Sequence, residues 1–297
     1  MGVRETGCVG VKLAGRTAIV TGAGAGLGYA IAQAFVTDGA NVVLCGRNAG
    51  SLEGALTSLS ALARSGQLVR MQVCDVASEP QVNQLIQRTI EDFGTIQILV
   101  NNAGVQGPIG PTEELALEEW RHTFEINLYG VLFTCRALIP HLRRQGYGKI
   151  LNLSGGGAAS PRPFYSAYAA SKAAVVRLTE NVAEELRGAG IDVNAVAPGA
   201  LNTQMLEQTL AAGPELVGQG QFAQALKQKE RGGSSLERAA ALCVYLASAD
   251  SDGITGRLIS APWDPWPTLH EHMAELASSD IYTLRRILPA DRAKSWN

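Results

Sequence analysis

Arg16-Thr17-Ala18-Ile19-Val20-Thr21-Gly22-Ala23-Gly24-Ala25-Gly26-Leu27-Gly28 decides how this chain folds. Ala18 to Val20 is short and apolar, which suits a buried strand. It runs into a glycine-rich turn, and from Leu27 a helical pattern continues through Ala30, Ile31, Ala34 and Phe35. Glycines at 22, 26 and 28 let the backbone turn tightly, approach a pyrophosphate and pack the helix close to the strand. The start of that helix offers unpaired amides and a partial positive charge to phosphate oxygens. Elsewhere a glycine-rich stretch would be only a loop. Between a strand and a helix it predicts nucleotide binding.

Working outward, strand-like runs recur at Ala18–Val20, Val42–Cys45, Leu68–Val73, Ile98–Val100, Lys149–Leu153, Ile191–Val196 and Leu258–Ser260, with helical patterns between them. Such alternation predicts an α/β fold: a parallel sheet of about seven strands with helices on both faces. Ser78-Glu79-Pro80-Gln81 and Ser234-Ser235-Leu236-Glu237 read as capping boxes at two helix starts, the first with proline just inside the helix. No repeat, low-complexity tract or linker interrupts the pattern, so residues 1–297 read as one domain with its core at about 14–260. Two segments look added to that core. Residues about 204–233 are rich in Gln, Gly and Ala; the stretch 261–297 carries Trp263-Asp264-Pro265-Trp266 and the run from Asp280 to Leu288. Aromatic residues there suit a substrate pocket, a subunit contact or plain packing. Arg285 and Arg286 are expected on a helix, reaching solvent or an acidic substrate.

Lys and Arg number 25 against 27 Asp and Glu, a net charge of −2 that offers no general attraction for nucleic acid or acidic membranes. Cys8, Cys45, Cys74, Cys135 and Cys243 are scattered, without a Cys-x-x-Cys, and read as reduced thiols of a cytoplasmic protein. The four histidines lack metal-ligand spacing, so no metal is expected. No apolar run approaches the ~18 residues of a membrane span. Gly2 and Thr6 fit the loose acylation pattern at the N-terminus, although a frayed tail is the blander reading.

The second chemical signal lies in Ser166-Ala167-Tyr168-Ala169-Ala170-Ser171-Lys172. On a helix, Tyr168 and Lys172 share one face, one turn apart. A free phenol keeps its proton to about pH 10. A neighbouring cation favours the phenolate, so the pair makes Tyr168 a candidate general acid and base.

Taken together, these motifs resemble those of the short-chain dehydrogenases/reductases, in their compact single-domain branch. The matching residues are Thr21-Gly22, Gly26-Leu27-Gly28, Asn101-Asn102-Ala103-Gly104, Asn127, Tyr168 with Lys172, and Pro198-Gly199 with Thr203, in the family's order over about residues 14–260. The resemblance implies a Rossmann-type doubly wound sheet, a nicotinamide dinucleotide cofactor, and hydride transfer to or from a carbonyl or secondary alcohol of a small molecule. It implies that Tyr168 exchanges the proton, that Lys172 supports the phenolate and binds the nicotinamide ribose, and that the backbone of Asn127 serves a proton relay. For the cofactor it implies Gly22, Gly26, Leu27 and Gly28 at the pyrophosphate, and Asp75 with Val76 near the adenine. Asn102, Ala103 and Gly104 would line the adenosine side, and Pro198, Gly199, Leu201 and Thr203 would hold the nicotinamide amide. Members commonly assemble as homotetramers or dimers through helices at about 112–144 and 168–187. Val175, Val176, Leu178 and Val182 there suit burial inside the chain or between subunits.

Two positions depart from the family pattern. After the second strand, Cys45-Gly46-Arg47 has glycine where NAD binders place an acid, followed by a cation suited to a 2′-phosphate. NADP is therefore favoured over NAD, Arg47 being otherwise an ordinary surface residue. Thirteen residues before Tyr168, where the family's carbonyl-polarising serine is expected, stands Gly155. Ser154 is the nearest hydroxyl and the candidate replacement, with Ser160 and Ser166 further off. Gly155 also motivates the other reading of the chain: a nucleotide-binding sensor or scaffold that has lost its chemistry.

Overall fold

The computed structural model describes residues 11–296. Gly2, Thr6 and Cys8 lie outside the described residues, and the acylation pattern with them. Seven strands pair in parallel in the order β3-β2-β1-β4-β5-β6-β7. They are β1 (Thr17–Thr21), β2 (Asn41–Gly46), β3 (Val69–Val73), β4 (Ile98–Asn101), β5 (Gly148–Leu153), β6 (Ile191–Ala197) and β7 (Leu258–Ser260). All seven expected runs are strands, with ends that shift by a residue or so.

Both faces of the sheet are covered, so adjacent strand residues are apolar in pairs instead of alternating with polar ones. Val20, Leu44 and Val100 pack on one face against α1 (Gly26–Thr37), α2 (Ala49–Ser60) and α9 (Leu236–Ala247). Ile19, Val43, Leu99 and Ile150 point the other way, against α3 (Glu79–Phe93), α5 (Gly130–Gln145) and α6 (Ser166–Glu185). Between α3 and α5 lies α4 (Leu117–Phe124). Strand order reverses between β1 and β4, which opens a crevice above the carboxyl ends of the strands.

Neither expected capping box forms as read. Ser78 is the N-cap of α3 but its side chain makes no capping bond, because Gln81 turns its amide oxygen to the Asp75 N–H at 2.8 Å. At α9 the cap is Ser235, one residue later, accepting from Arg238 N–H at 3.0 Å while its hydroxyl donates to Glu237. The glutamine-rich insertion forms α7 (Gln204–Val217) and α8 (Gln219–Arg231), α7 being kinked at Gly213, where φ is 76° ahead of Pro214.

The C-terminal stretch continues through α10 (Met273–Ser278) and then runs without regular helix past Arg285 and Arg286, contrary to the expectation for that pair. Arg285 instead pairs with Asp280 and Asp291. This stretch lies along the free edge of β7: Leu258 N–H donates to Tyr282 C=O at 2.8 Å, and Arg257 donates to the carbonyls of Leu276, Ser279 and Ile281. Val175, Val176 and Val182 are buried within the single chain, so their apolarity is accounted for without a partner. No described helix is long and apolar enough to cross a membrane.

Candidate active site

The crevice at the strand ends is a cleft of about 800 Å³. Gly22, Gly26, Leu27, Gly28, Asn102, Ala103, Gly104, Ser154, Tyr168, Lys172, Pro198, Gly199, Leu201 and Thr203 line it, which unites most of the residues singled out from the sequence. Arg47, Asp75 and Val76 do not line it. Arg47 is exposed just beyond β2, and Asp75 and Val76 follow β3, where Asp75 accepts the Ala77 N–H at 3.0 Å. Asn127 stands behind the wall, fully buried.

The glycine turn is built for close approach. A Cβ on Gly28 would lie 2.1 Å from the Gly22 carbonyl oxygen, and one on Gly22 would lie 2.9 Å from the Asn102 amide nitrogen. Gly22 and Gly26 have φ of 65° and 57°, the left-handed region that other residues avoid. Thr21 ties the turn to the end of β4: its hydroxyl accepts from Asn102 N–H and Ala103 N–H, both at 3.0 Å. Helix α1 begins at Gly26 with no side-chain cap and no acid in its first turn, and its first residues border the cleft. Uncapped amides at a helix start, with bare glycines in front, fit a dinucleotide pyrophosphate. Among the described residues no Asp or Glu lines the cleft, so none of them repels an anion there.

At the other side of the cleft, α6 carries Tyr168 and Lys172, both buried. Lys172 Nζ donates to Leu153 C=O at 2.8 Å. Burial lowers the Lys172 ammonium from the ordinary 10.5 to about 8. The Tyr168 phenol moves opposite to the expectation from its lysine neighbour: burial raises it, and the cation that pulls it back down is Arg162. The ammonium of Lys172 sits 5.9 Å from the centre of the Tyr168 ring, beside it but within no hydrogen bond to its hydroxyl. Burial of a neutral phenol thus outweighs the i,i+4 pairing.

Asn127 lies in a π-helical turn, Glu125–Tyr129, between α4 and α5. Such a turn accommodates the asparagine inside a helix and recurs at functional sites. Its amide is used in full: Oδ1 accepts from Val105 N–H at 2.8 Å, and Nδ2 donates to Val105 C=O at 2.9 Å and to Ser171 Oγ at 3.0 Å. Only its backbone is left for other work. Below, Thr134 donates to Asn101, Asn101 to Asn152 and Asn152 to Thr179, a buried chain of polar groups that fixes β4 and β5 under the site.

Ser154 borders the cleft, yet its Oγ is sealed from solvent and has no hydrogen-bond partner among the described residues. Gly155 beside it faces the Tyr168 hydroxyl directly. Sequence reasoning missed Arg162 and Tyr165. Arg162 lines the cleft with its guanidinium 3.8 Å above the Tyr165 ring and 5.6 Å from the Tyr168 ring. Pro161 and Pro163 on either side of Arg162 were the available signal of a rigid, deliberate placement.

Residues 16–212 match the family model described as short chain dehydrogenase. The chain is 38% identical over 244 residues to a 2-(R)-hydroxypropyl-CoM dehydrogenase of Xanthobacter autotrophicus, covering 81% of this chain and 94% of that one. Its fold is similar to that of NAD+-bound xylitol dehydrogenase, with a TM-score of 0.76 at 29% identity over 84% of this chain and 98% of that one. It is also similar to a gluconate 5-dehydrogenase from Burkholderia cenocepacia in complex with NADP and tartrate, with a TM-score of 0.73 at 29% identity, covering 84% and 94%. With a parallel seven-stranded sheet, a glycine turn at its switch point and a family match across most of the core, this chain belongs to the short-chain dehydrogenases, enzymes acting on alcohols and carbonyls.

Proposed function

We propose that the chain interconverts a secondary alcohol and a carbonyl of a small molecule, with Tyr168 as the proton donor and acceptor. One observation carries this reading: Tyr168, Lys172 and the uncapped start of α1 border a single cleft with no acid among its described lining residues. A bound nicotinamide dinucleotide supplies or accepts the hydride. The residues to hold it are Gly22, Gly26, Leu27 and Gly28 at the pyrophosphate, Asn102 to Gly104 at the adenosine side, and Pro198, Gly199, Leu201 and Thr203 at the nicotinamide. Asp75 and Val76 belong at the adenine rim.

In reduction the buried Tyr168 hydroxyl gives its proton to the oxygen as negative charge develops there; in oxidation it removes that proton. Its raised pKa keeps it protonated at neutral pH, as a donor must be. Lys172 has one of three N–H donors engaged by Leu153, which leaves two for a ribose hydroxyl and for the phenolate as it forms. Asn127, its amide engaged on both atoms, contributes through its backbone to the proton route. Ser154 borders the cleft, but its buried Oγ, without a hydrogen-bond partner among the described residues, weighs against a share in polarising the carbonyl.

Gly46 in place of an acid, with exposed Arg47 beside it, supports NADP over NAD. Four described cysteines are free thiols, all buried, in keeping with a cytoplasmic setting. The family resemblance supports a homodimer or homotetramer, a state that light scattering checks. The scaffold reading has Gly155 alone in its favour.

Replacing Tyr168 with Phe removes only the phenolic oxygen. Coenzyme-linked turnover is expected to fall about 10²–10⁴-fold while coenzyme binding stays near wild type. Retained turnover would remove Tyr168 from its role.

A further inference from the structure

We propose that Arg162 selects the substrate, and that the substrate is a hydroxylated carboxylate whose anionic group pairs with its guanidinium. This rests on the reading of the cleft as the site of alcohol–carbonyl interconversion.

Among the described residues, Arg162 and Lys172 are the only charged ones lining the cleft, and Lys172 is turned to the Leu153 carbonyl. Among the described residues Arg162 has no carboxylate partner and donates no hydrogen bond. Other arginines nearer the surface, such as Arg121, Arg177 and Arg187, are paired with acids. A guanidinium bordering an acid-free cleft presents a planar fork of donors that matches a carboxylate in two-point geometry. Its place, 5.6 Å from the Tyr168 ring and beside Gly156, puts the anionic group within a few bonds of the reacting carbon.

The position of Arg162 is fixed by its surroundings. The guanidinium stacks on Tyr165, which is completely buried and whose hydroxyl donates to Thr209 Oγ1 on α7 at 3.2 Å. The segment between two prolines is pinned by Gly110 N–H to Phe164 C=O at 2.9 Å and by the Gln221 amide to Pro163 C=O at 2.7 Å. Phe164 itself takes φ of 69°, a conformation that non-glycine residues rarely adopt without such support. A charged side chain held this firmly, with no carboxylate or hydrogen-bond partner among the described residues, is preorganised for a ligand.

The rest of the substrate half argues for hydroxyl groups. Gln106, Gln204, Gln208, Gln221, Gln224 and Gln228 line it. Gln106, Gln221 and Gln228 are engaged with Thr209, Pro163 and the Leu201–Asn202 backbone and side chain, whereas Gln204, Gln208 and Gln224 donate no side-chain hydrogen bond to any of the described residues. Amide side chains donate and accept together, which is what several hydroxyls on one chain require.

The test is calorimetric titration of the protein saturated with whichever coenzyme it binds more tightly. Gluconate and tartrate are the probes, with sorbitol and threitol as uncharged partners of equal chain length. The anions are expected to bind at least tenfold more tightly than the polyols. Arg162→Gln should erase that difference without changing coenzyme affinity, and Arg162→Lys, which keeps the charge but loses the fork, should restore part of it. Equal binding of anions and polyols by the wild type overturns the proposal even if the glutamine variant fails to fold, and so do anions bound undiminished by Arg162→Gln. Binding is read without turnover, so the two readings fail separately. Arg162-dependent binding alongside an active Tyr168→Phe protein would sink the assigned chemistry and leave the carboxylate site standing.

Discussion

Tyr168 holds its hydroxyl against the bare backbone of Gly155, so close that a β-carbon on the glycine would lie 2.3 Å from the phenolic oxygen and 2.9 Å from the nearest ring carbon. The phenol fills the room in which a side chain at that position would stand. Gly155→Ala therefore displaces the ring by roughly an ångström, a shift of the size that costs about 10² in rate when it occurs at a reacting group. Steady-state turnover should drop accordingly, with coenzyme affinity preserved. Unchanged turnover would mean that the phenol moves aside freely.

Ser154 carries a buried hydroxyl without a partner. Leaving such a group unsatisfied costs about 1–3 kcal/mol. Ser154→Ala is expected to raise stability against urea by about 1 kcal/mol and to keep turnover within a few-fold of wild type. A loss of about 10²–10³ would identify Ser154 as the carbonyl donor after all.

Lys172 gives the apoprotein a pH signature. Its folded pKa is lowered to about 8, so between there and the ordinary 10.5 the unfolded chain binds a proton that the folded chain does not. The Lys172 contribution to stability then rises with pH from about 8, at up to about 1.4 kcal/mol per unit. The raised phenol of Tyr168 works in the opposite sense above about pH 10. The buried thiols of Cys135 and Cys243, raised by burial, and of Cys45, raised by its neighbour Cys74 and by burial, do so from about pH 8.5. The lysine contribution is therefore read as the difference between wild type and a Lys172 variant. Urea titrations from about pH 8 to about 9.5 should show a stability slope more positive in the wild type than in Lys172→Met, by up to about 1.4 kcal/mol per pH unit.

Arg47 stands exposed after β2, beside Gly46. Arg47→Ala should weaken NADPH binding about tenfold and leave NADH binding unchanged, the loss expected for one charge-assisted contact to the 2′-phosphate. Fluorescence titration with both coenzymes distinguishes this from a residue that only faces solvent, for which neither affinity would move.

Much of this architecture was legible because it rests on local rules. Paired apolar residues such as Ile19 with Val20 and Leu99 with Val100 announced strands covered on both faces, and Gly22, Gly26 and Gly28 announced the turn that only glycine can make. Spacing along a helix put Tyr168 and Lys172 on one face. Spacing carried no information about desolvation, which reverses the expected direction at Tyr168. Nor did it show that Gln81 leaves its capping role for Asp75, or which glutamines of α7 and α8 share the cleft lining with the arginine at 162, since those residues lie far apart in the chain. Arg285 and Arg286 were expected on a helix, but their run turns at Asp280–Thr283 and is held by Arg257 and Glu180.

That last contact has a consequence for assembly. A terminal strand such as β7 exposes a row of unsatisfied backbone groups that invites a neighbouring molecule to dock as one more strand. Here each molecule hems its own border: the Tyr282 carbonyl meets Leu258, and the Arg257 guanidinium clasps three successive stretches of the hem. Growth of fibrils or sheets from that side is thereby closed off. A chain shortened before Ser279 would first betray the loss by clumping, before any change in its melting.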